Sequence, residues 1–386
     1  MKKKYLRYPI IVVLLVMVII SGLTCASAGH QSNADASVNA YSALFDALCV
    51  FNEGKDSFDE WFAGGMLNDK GTLTLFIKAD SSDQLKYVYD SYCEMVPALR
   101  NVSLPVCVTY SLNDLLSFQE LTIQAFKGAN IISCGINYQA NMLYIGCHET
   151  SPLFDSYDLK IPEDSYSLFV ENEGLTLTSL HGGDETTGTT LGWCGTYNGG
   201  PAVVSCAHGN HFFNTLTITD EANNVSVNAT RVFDSITDLS GTSRLGDFYI
   251  ATVGSGLTTN YTHTGSSGTL VSCGSYLSSL PQESDISLYG KVSKGFIGKT
   301  KLYYTCYVET SKLIEGDIIY GLVLADPDED NCITPVPGDS GGPVYYTYQS
   351  GGIGATGTIT GTNENMLILF SPLKYAADYG FVVRTW

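Results

Sequence analysis

The chain has 386 residues, 20 of them basic and 39 acidic, for a formal net charge of −19 at pH 7. Four of the basic residues lie in the first seven positions, so the remainder is more acidic still. Both halves carry that excess, which excludes nucleic acid as an expected partner and otherwise reads as a solubility feature.

At the N-terminus, Lys2, Lys3, Lys4 and Arg7 precede an apolar run from Ile10 to Ile20, and Ala26-Ser27-Ala28 offers a small-x-small cleavage site. The run is shorter than the ~20 apolar residues that span a bilayer. Residues 1–28 are therefore expected to be a cleaved signal peptide, with the protein secreted and no stable membrane anchor left behind. Of 11 cysteines, Cys25 leaves with the signal, and an oxidising destination favours disulfides for the rest. Strand geometry suggests two pairs. Cys134 would face Cys147 across a hairpin turning at Ala140-Asn141, and Cys194 would face Cys206 across Asn198-Gly199-Gly200-Pro201. No C-x-x-C or Cys/His cluster is legible in the sequence, so no metal and no cofactor is expected.

Residues 29–177 mix two periodicities. Val38 to Phe51 and Gln84 to Leu99 have apolar residues at helical spacing, whereas Thr72 to Ala79 alternates like a strand. Leu153 to Gly174 is acidic, holds Pro162 and follows Pro152, and reads as an extended connector. From Leu175 onward helix signals nearly vanish. Short Val/Ile/Thr/Tyr runs separated by Gly, Asn and Ser turns predict an all-β sandwich or barrel.

Three segments of this β-rich half carry chemistry. Val203-Val204-Ser205-Cys206-Ala207-His208-Gly209 is an apolar strand ending in small residues and a histidine. Leu245-Gly246-Asp247-Phe248-Tyr249-Ile250-Ala251 places an aspartate at the entry to an apolar strand. Gly338-Asp339-Ser340-Gly341-Gly342-Pro343 is a glycine-flanked serine turn. A serine hydroxyl needs a base to take its proton, a carboxylate to fix the base's tautomer, and donors for the oxyanion. The order His208, Asp247, Ser340 differs from the Asp-His-Ser of subtilisins. It differs also from the Ser-Asp-His of α/β-hydrolases, whose G-x-S-x-G elbow requires a histidine after the serine. Here the last histidine is His263. His211 is the only nearby competitor for the base, and Asp234 and Asp238, which open no apolar strand, are read as solvated loop acids.

These three segments, in this order, resemble the chymotrypsin-like serine peptidases, and most closely the bacterial alpha-lytic protease and streptogrisin group. Leu180-His181-Gly182-Gly183-Asp184 resembles that group's mature N-terminus, and Gly357-Thr358-Ile359-Thr360-Gly361-Thr362 its strand after the serine hairpin. Phe62 to Leu73 and Asn137 to Ile145 look like hairpins of its pro-region. The resemblance implies an all-β catalytic domain of two packed six-stranded antiparallel β-barrels over residues 178–386. It implies an α+β pro-region over 29–177 that acts as folding aid and inhibitor and is released near Thr178 to Leu180.

In such an enzyme His208 is the base, Asp247 its support and Ser340 the nucleophile. The backbone N–H groups of Gly338 and Ser340 form the oxyanion hole, since Pro337 has no N–H to give. The resemblance also gives Asp339 the task of holding the turn through an internal partner, and puts Thr360 where relatives carry a serine bonded to the triad aspartate. Thr334 to Pro337 on one side and Ile359, Thr360, Gly361 and Thr362 on the other would wall the substrate pocket. No carboxylate stands there, so cleavage after apolar or neutral residues is expected, with protein or peptide substrates and a monomeric enzyme. The competing reading is an exported protease-like protein that binds a partner without cleaving it.

Overall fold

The protein is described by a computed structural model over residues 33–52, 55–125, 131–147, 161–170, 176–177, 189–220, 225–239, 244–254, 261–264, 269–307, 318–327, 335–362 and 367–385. The expected signal peptide and Leu180 to Asp184 lie outside the described residues.

The N-terminal half is α+β, as expected. Helix α1 spans residues 33–48, and its buried Val38, Tyr41, Leu44, Phe45 and Leu48 follow the helical period. Strands β1 (Phe62–Leu67) and β2 (Leu73–Lys78) form a hairpin, and β3 (Ser103–Val108) pairs with β2 in parallel. The crossover between β2 and β3 carries helix α2 (Ser82–Met95), which starts where the Ser81 hydroxyl accepts from the Gln84 N–H. Helix α3 (Leu112–Ala125) leads to a second hairpin, β4 (Ile131–Asn137) and β5 (Met142–Cys147).

The stretch read as a connector is partly structured. Glu163–Ser165 forms a short helical turn, and β6 (Tyr166–Val170) pairs in parallel with β5. Its aromatic and β-branched residues suit a strand, and the pairing satisfies the β5 backbone on that side.

The C-terminal half holds the two six-stranded antiparallel units. In the first, β8 (Trp193–Tyr197), β9 (Gly200–Ser205), β10 (Thr215–Asp220), β11 (Val225–Asp234), β12 (Tyr249–Thr252) and β19 (Phe381–Val383) run in the order β10-β11-β12-β9-β8-β19. The second contains β13 (Asp285–Gly290), β14 (Lys294–Tyr307), β15 (Ile318–Pro327), β16 (Pro343–Thr347), β17 (Ile353–Thr362) and β18 (Ile368–Pro372). Its pairings form a closed ring: β13 to β14, β15, β18, β17, β16 and back to β13. Closure removes the edges an open sheet would expose. Ile286, Leu288, Ala325, Val344, Ile359, Ile368 and Phe370 pack together as this unit's core. A short helix, α4 (Leu373–Asp378), leads to β19.

The two halves share one core. Strand β4 hydrogen-bonds to β14, placing Ile136 opposite Tyr303 and Ser133 opposite Cys306, so the barrel sheet continues into the N-terminal half. Leu277 and Tyr346 of the C-terminal half pack into the core built by α1, β1 and β2. The Tyr346 hydroxyl donates to Asp35 at 2.7 Å, and Lys374 Nζ sits 2.7 Å from Asp56 and 2.5 Å from Asp378.

The expected disulfides are not formed. Cys134, Cys194 and Cys206 are free thiols. Register explains it: Cys134 lies opposite Ile145, with Cys147 opposite Ile131, and Cys194 lies opposite Val203, three residues short of Cys206.

Candidate active site

Strand β9 runs buried through Ala202, Val203 and Val204, then leaves the sheet so that Ala207 and His208 enter a turn. Asp247 precedes β12, which pairs with β9, so strand pairing alone brings the aspartate to the histidine. His208 Nδ1 lies 2.6 Å from Asp247 Oδ2, with side-chain exposures of 3% and 0%. Oδ1 of the same carboxylate accepts from the backbone N–H groups of Ala207 (3.1 Å) and His208 (2.9 Å). The aspartate therefore fixes both the ring and the turn that carries it.

Burial opposes charging the imidazole, but the adjacent Cys206 and Asp247 outweigh it and hold His208 well above the usual histidine pKa.

Ser340 is brought to the same place by its turn. Gly341, at φ +85°, has no room for a side chain: a Cβ would meet the Thr190 carbonyl and lie 2.9 Å from the Cys206 amide nitrogen. The serine turn thus packs directly on the segment that carries His208. Gly338 takes φ +101°, a conformation that L residues rarely adopt. Thr190 ties the two segments further, its N–H donating to the Ser340 carbonyl and its hydroxyl to the Gly338 carbonyl, both at 2.8 Å.

The half of the relay between histidine and serine is not made. The Ser340 hydroxyl donates to the Thr360 carbonyl at 3.4 Å, and His208 Nε2 is buried with no hydrogen-bond partner among the described residues. All three side chains are buried, Ser340 and Asp247 completely.

Several neighbours differ from the sequence reading. Asp234 is buried rather than solvated, accepting from Ile236 N–H and the Thr237 hydroxyl beside Arg231. Asp238, its exposed neighbour, accepts from Asp234 N–H. His211 sits in the turn beyond His208, its ring against Phe212. The Thr360 hydroxyl does not reach Asp247 and has no partner. Support comes instead from Ser371 of β18, whose hydroxyl accepts from the Asp247 N–H at 3.0 Å. Ile359 belongs to the barrel core. The partner of Asp339, not legible in the sequence, is the backbone: its carboxylate accepts from Val292, Ser293 and Val336 N–H at 2.8, 3.0 and 2.9 Å.

One contact bears on the pocket wall. Strand β7 (Thr176–Leu177) pairs antiparallel with β17, Leu177 opposite Gly361 and Thr176 opposite Thr362. The segment expected to wall the substrate pocket is therefore paired with another strand of the same chain.

Bacterial serine proteases of chymotrypsin-like fold are the structural neighbours of this chain. A glutamic-acid-specific serine protease described as using a histidine triad in substrate binding shares 18% identity, with a TM-score of 0.38 over 51% of this chain and 96% of its own. A Nocardiopsis protease shares 16%, with a TM-score of 0.37 over 50% and 92% of the two chains. Thermobifida fusca protease A shares 16%, with a TM-score of 0.35 over 51% and 92%. No sequence-family model and no curated protein matches the chain. The likeness concerns the fold alone.

Proposed function

We propose that this chain is a secreted serine endopeptidase made as an inhibited precursor. The observation that carries the proposal is the buried His208–Asp247 pair, 2.6 Å apart, packed against the glycine turn that presents Ser340. In this reading the Ser340 hydroxyl turns from the Thr360 carbonyl to His208 Nε2, which takes its proton as Oγ attacks the scissile carbonyl. The N–H groups of Gly338 and Ser340 receive the oxyanion, each worth about 3 kcal/mol. Collapse of the intermediate passes the proton from Nε2 to the leaving amine and leaves an acyl-enzyme, which water then hydrolyses with His208 again as base. Asp339 keeps the turn rigid through its three amide contacts.

Residues 178–386 would form the mature enzyme and 29–177 the pro-region, which assists folding. The strand pairing of β7 with Gly361 and Thr362 supports inhibition in the precursor. It also supports release near Thr178 to Leu180, just beyond the paired residues Thr176 and Leu177. The uncharged pocket wall favours substrates with apolar or neutral residues at the cleaved bond.

The test is hydrolysis of a denatured protein by the purified protein after release of its N-terminal half, compared with its Ser340→Ala variant treated in the same way. Ser340→Ala should lower the rate by roughly a million-fold. A variant that still cleaves at the wild-type rate would remove Ser340 from the mechanism.

A further inference from the structure

The sequence shows no Cys/His cluster of metal-binding spacing, yet the fold makes a three-donor cluster. Cys206, His208 and Asp247 each offer a ligand atom, and the three atoms lie within 4.8 Å of one another, all on buried residues. Cys206 is fully buried at the end of β9, two residues before the base. Nothing in the hydrolytic mechanism uses its thiol.

We propose that Cys206, His208 and Asp247 form a binding site for a zinc-class divalent cation, and that occupancy switches the catalytic base off. The donor set is a sulfur, an imidazole nitrogen and a carboxylate oxygen, the three ligand types zinc takes. Metal–ligand bonds of about 2.0–2.3 Å put tetrahedral donors roughly 3.3–3.8 Å apart, so a cluster no wider than 4.8 Å need close by about 1 Å at most, while the His208–Asp247 hydrogen bond at 2.6 Å gives way as the metal enters. The carboxylate is already oriented, because Oδ1 is held by the Ala207 and His208 amides while Oδ2 faces the ring. Asn210 supplies an outer contact. Its Nδ2, 4.0 Å from the sulfur, donates to the Cys206 carbonyl at 2.8 Å, which holds the Cys206 backbone in place beside the ring. Among the described residues the other ring nitrogen, Nε2, is buried and without a hydrogen-bond partner, and Asp247 Oδ2 faces Nδ1.

Binding releases the Cys206 thiol proton to solvent, together with any proton on the ring nitrogen that becomes a ligand. An imidazole whose lone pair or whose orientation is given to the metal no longer takes the proton of Ser340. The brake therefore rests on the serine-peptidase reading, whereas the metal site does not.

The two are tested separately. Full-length Ser340→Ala protein, which keeps all three ligands, is titrated with Cd2+ to equilibrium and read by thiolate-to-metal charge-transfer absorbance. The same titration is run with Cys206→Ala and with Cys206→Ser added, the second variant keeping the size of the side chain. Circular dichroism confirms that each is folded. One fewer tight equivalent in both variants is expected; the same stoichiometry with and without Cys206 overturns the site. The brake is then read as Zn2+ inhibition of hydrolysis, which Cys206→Ala should weaken by more than about tenfold. Equal Zn2+ inhibition of both proteins overturns the brake while leaving the binding result in place. Absence of hydrolysis by the metal-free protein after release of its N-terminal half would overturn the peptidase reading and the brake with it, and leave the binding result in place.

Discussion

His208 and Asp247, 39 residues apart in sequence, meet through two separate atoms of one carboxylate: Oδ2 faces the imidazole Nδ1 at 2.6 Å, and Oδ1 accepts the His208 backbone N–H at 2.9 Å. Side chain and main chain of the base are thereby locked to the same group. The carboxylate can select the tautomer with its proton on Nδ1, leaving Nε2 free to act.

Asp247→Asn removes that selection while keeping the shape. The hydrolytic rate should fall by about ten-thousand-fold, with little change in KM, because the amide can favour the wrong tautomer. Steady-state kinetics on a peptide ester separates the two constants.

The pH profile follows from the same contact. Hydrolysis needs a neutral His208, and its pKa is held well above the usual value by Cys206 and Asp247 against the effect of burial. The rate should thus rise with pH beyond the ordinary imidazole range near about 6.5. Stability should run the other way. A histidine whose pKa is raised by folding contributes in full below its unfolded pKa, and that contribution is lost as pH rises through the native value. Melting temperatures of wild-type and His208→Gln across pH should converge at the alkaline end.

Lys374 offers a test of how the two halves hold together. Its side chain is 6% exposed, between Asp56 of the N-terminal half and Asp378 of its own helix, with Phe51 5.3 Å from the ammonium. Lys374→Met leaves two buried carboxylates without their cation and should cost about 3–5 kcal/mol in denaturant unfolding. Asp56→Asn should cost less, since Asp378 still pairs with the lysine.

Much of this arrangement was legible in the sequence, and the parts that were not have a common cause. The order of the proposed triad His208, Asp247 and Ser340 and the turn glycines are local signals, readable from a few residues each. The strand Leu73–Lys78 fell where periodicity put it, and the two hairpins of the N-terminal half fell where the family resemblance put them. Misreadings arose where a long-range pairing decides the outcome. Cys194 and Cys206 flank a turn almost symmetrically, yet one residue of register decides which side chains face each other. Ser371, not Thr360, supports Asp247, because β18 reaches it through barrel closure rather than through nearness in sequence. Asp339 finds its partners in main-chain amides, which carry no sequence signal.

The shared sheet between β4 and β14 bears on folding. A barrel built from non-local pairs has a slow, entropically costly transition state, and β4 offers a ready template for the β14 edge. Residues 178–386 expressed alone should be inactive or poorly secreted, and residues 29–177 supplied as a separate chain should restore activity. Full activity of the isolated C-terminal half, refolded without the N-terminal half, would rule out that role.

The most direct measurement is covalent labelling with a fluorophosphonate, which phosphonylates only a serine whose proton is taken by a base and whose oxyanion is stabilised. Applied to the protein after release of its N-terminal half, the account predicts a single adduct, mapped by mass spectrometry to Ser340 and absent from both Ser340→Ala and His208→Ala. Labelling that is missing from the processed wild-type protein, or that persists when His208 is replaced, would contradict it.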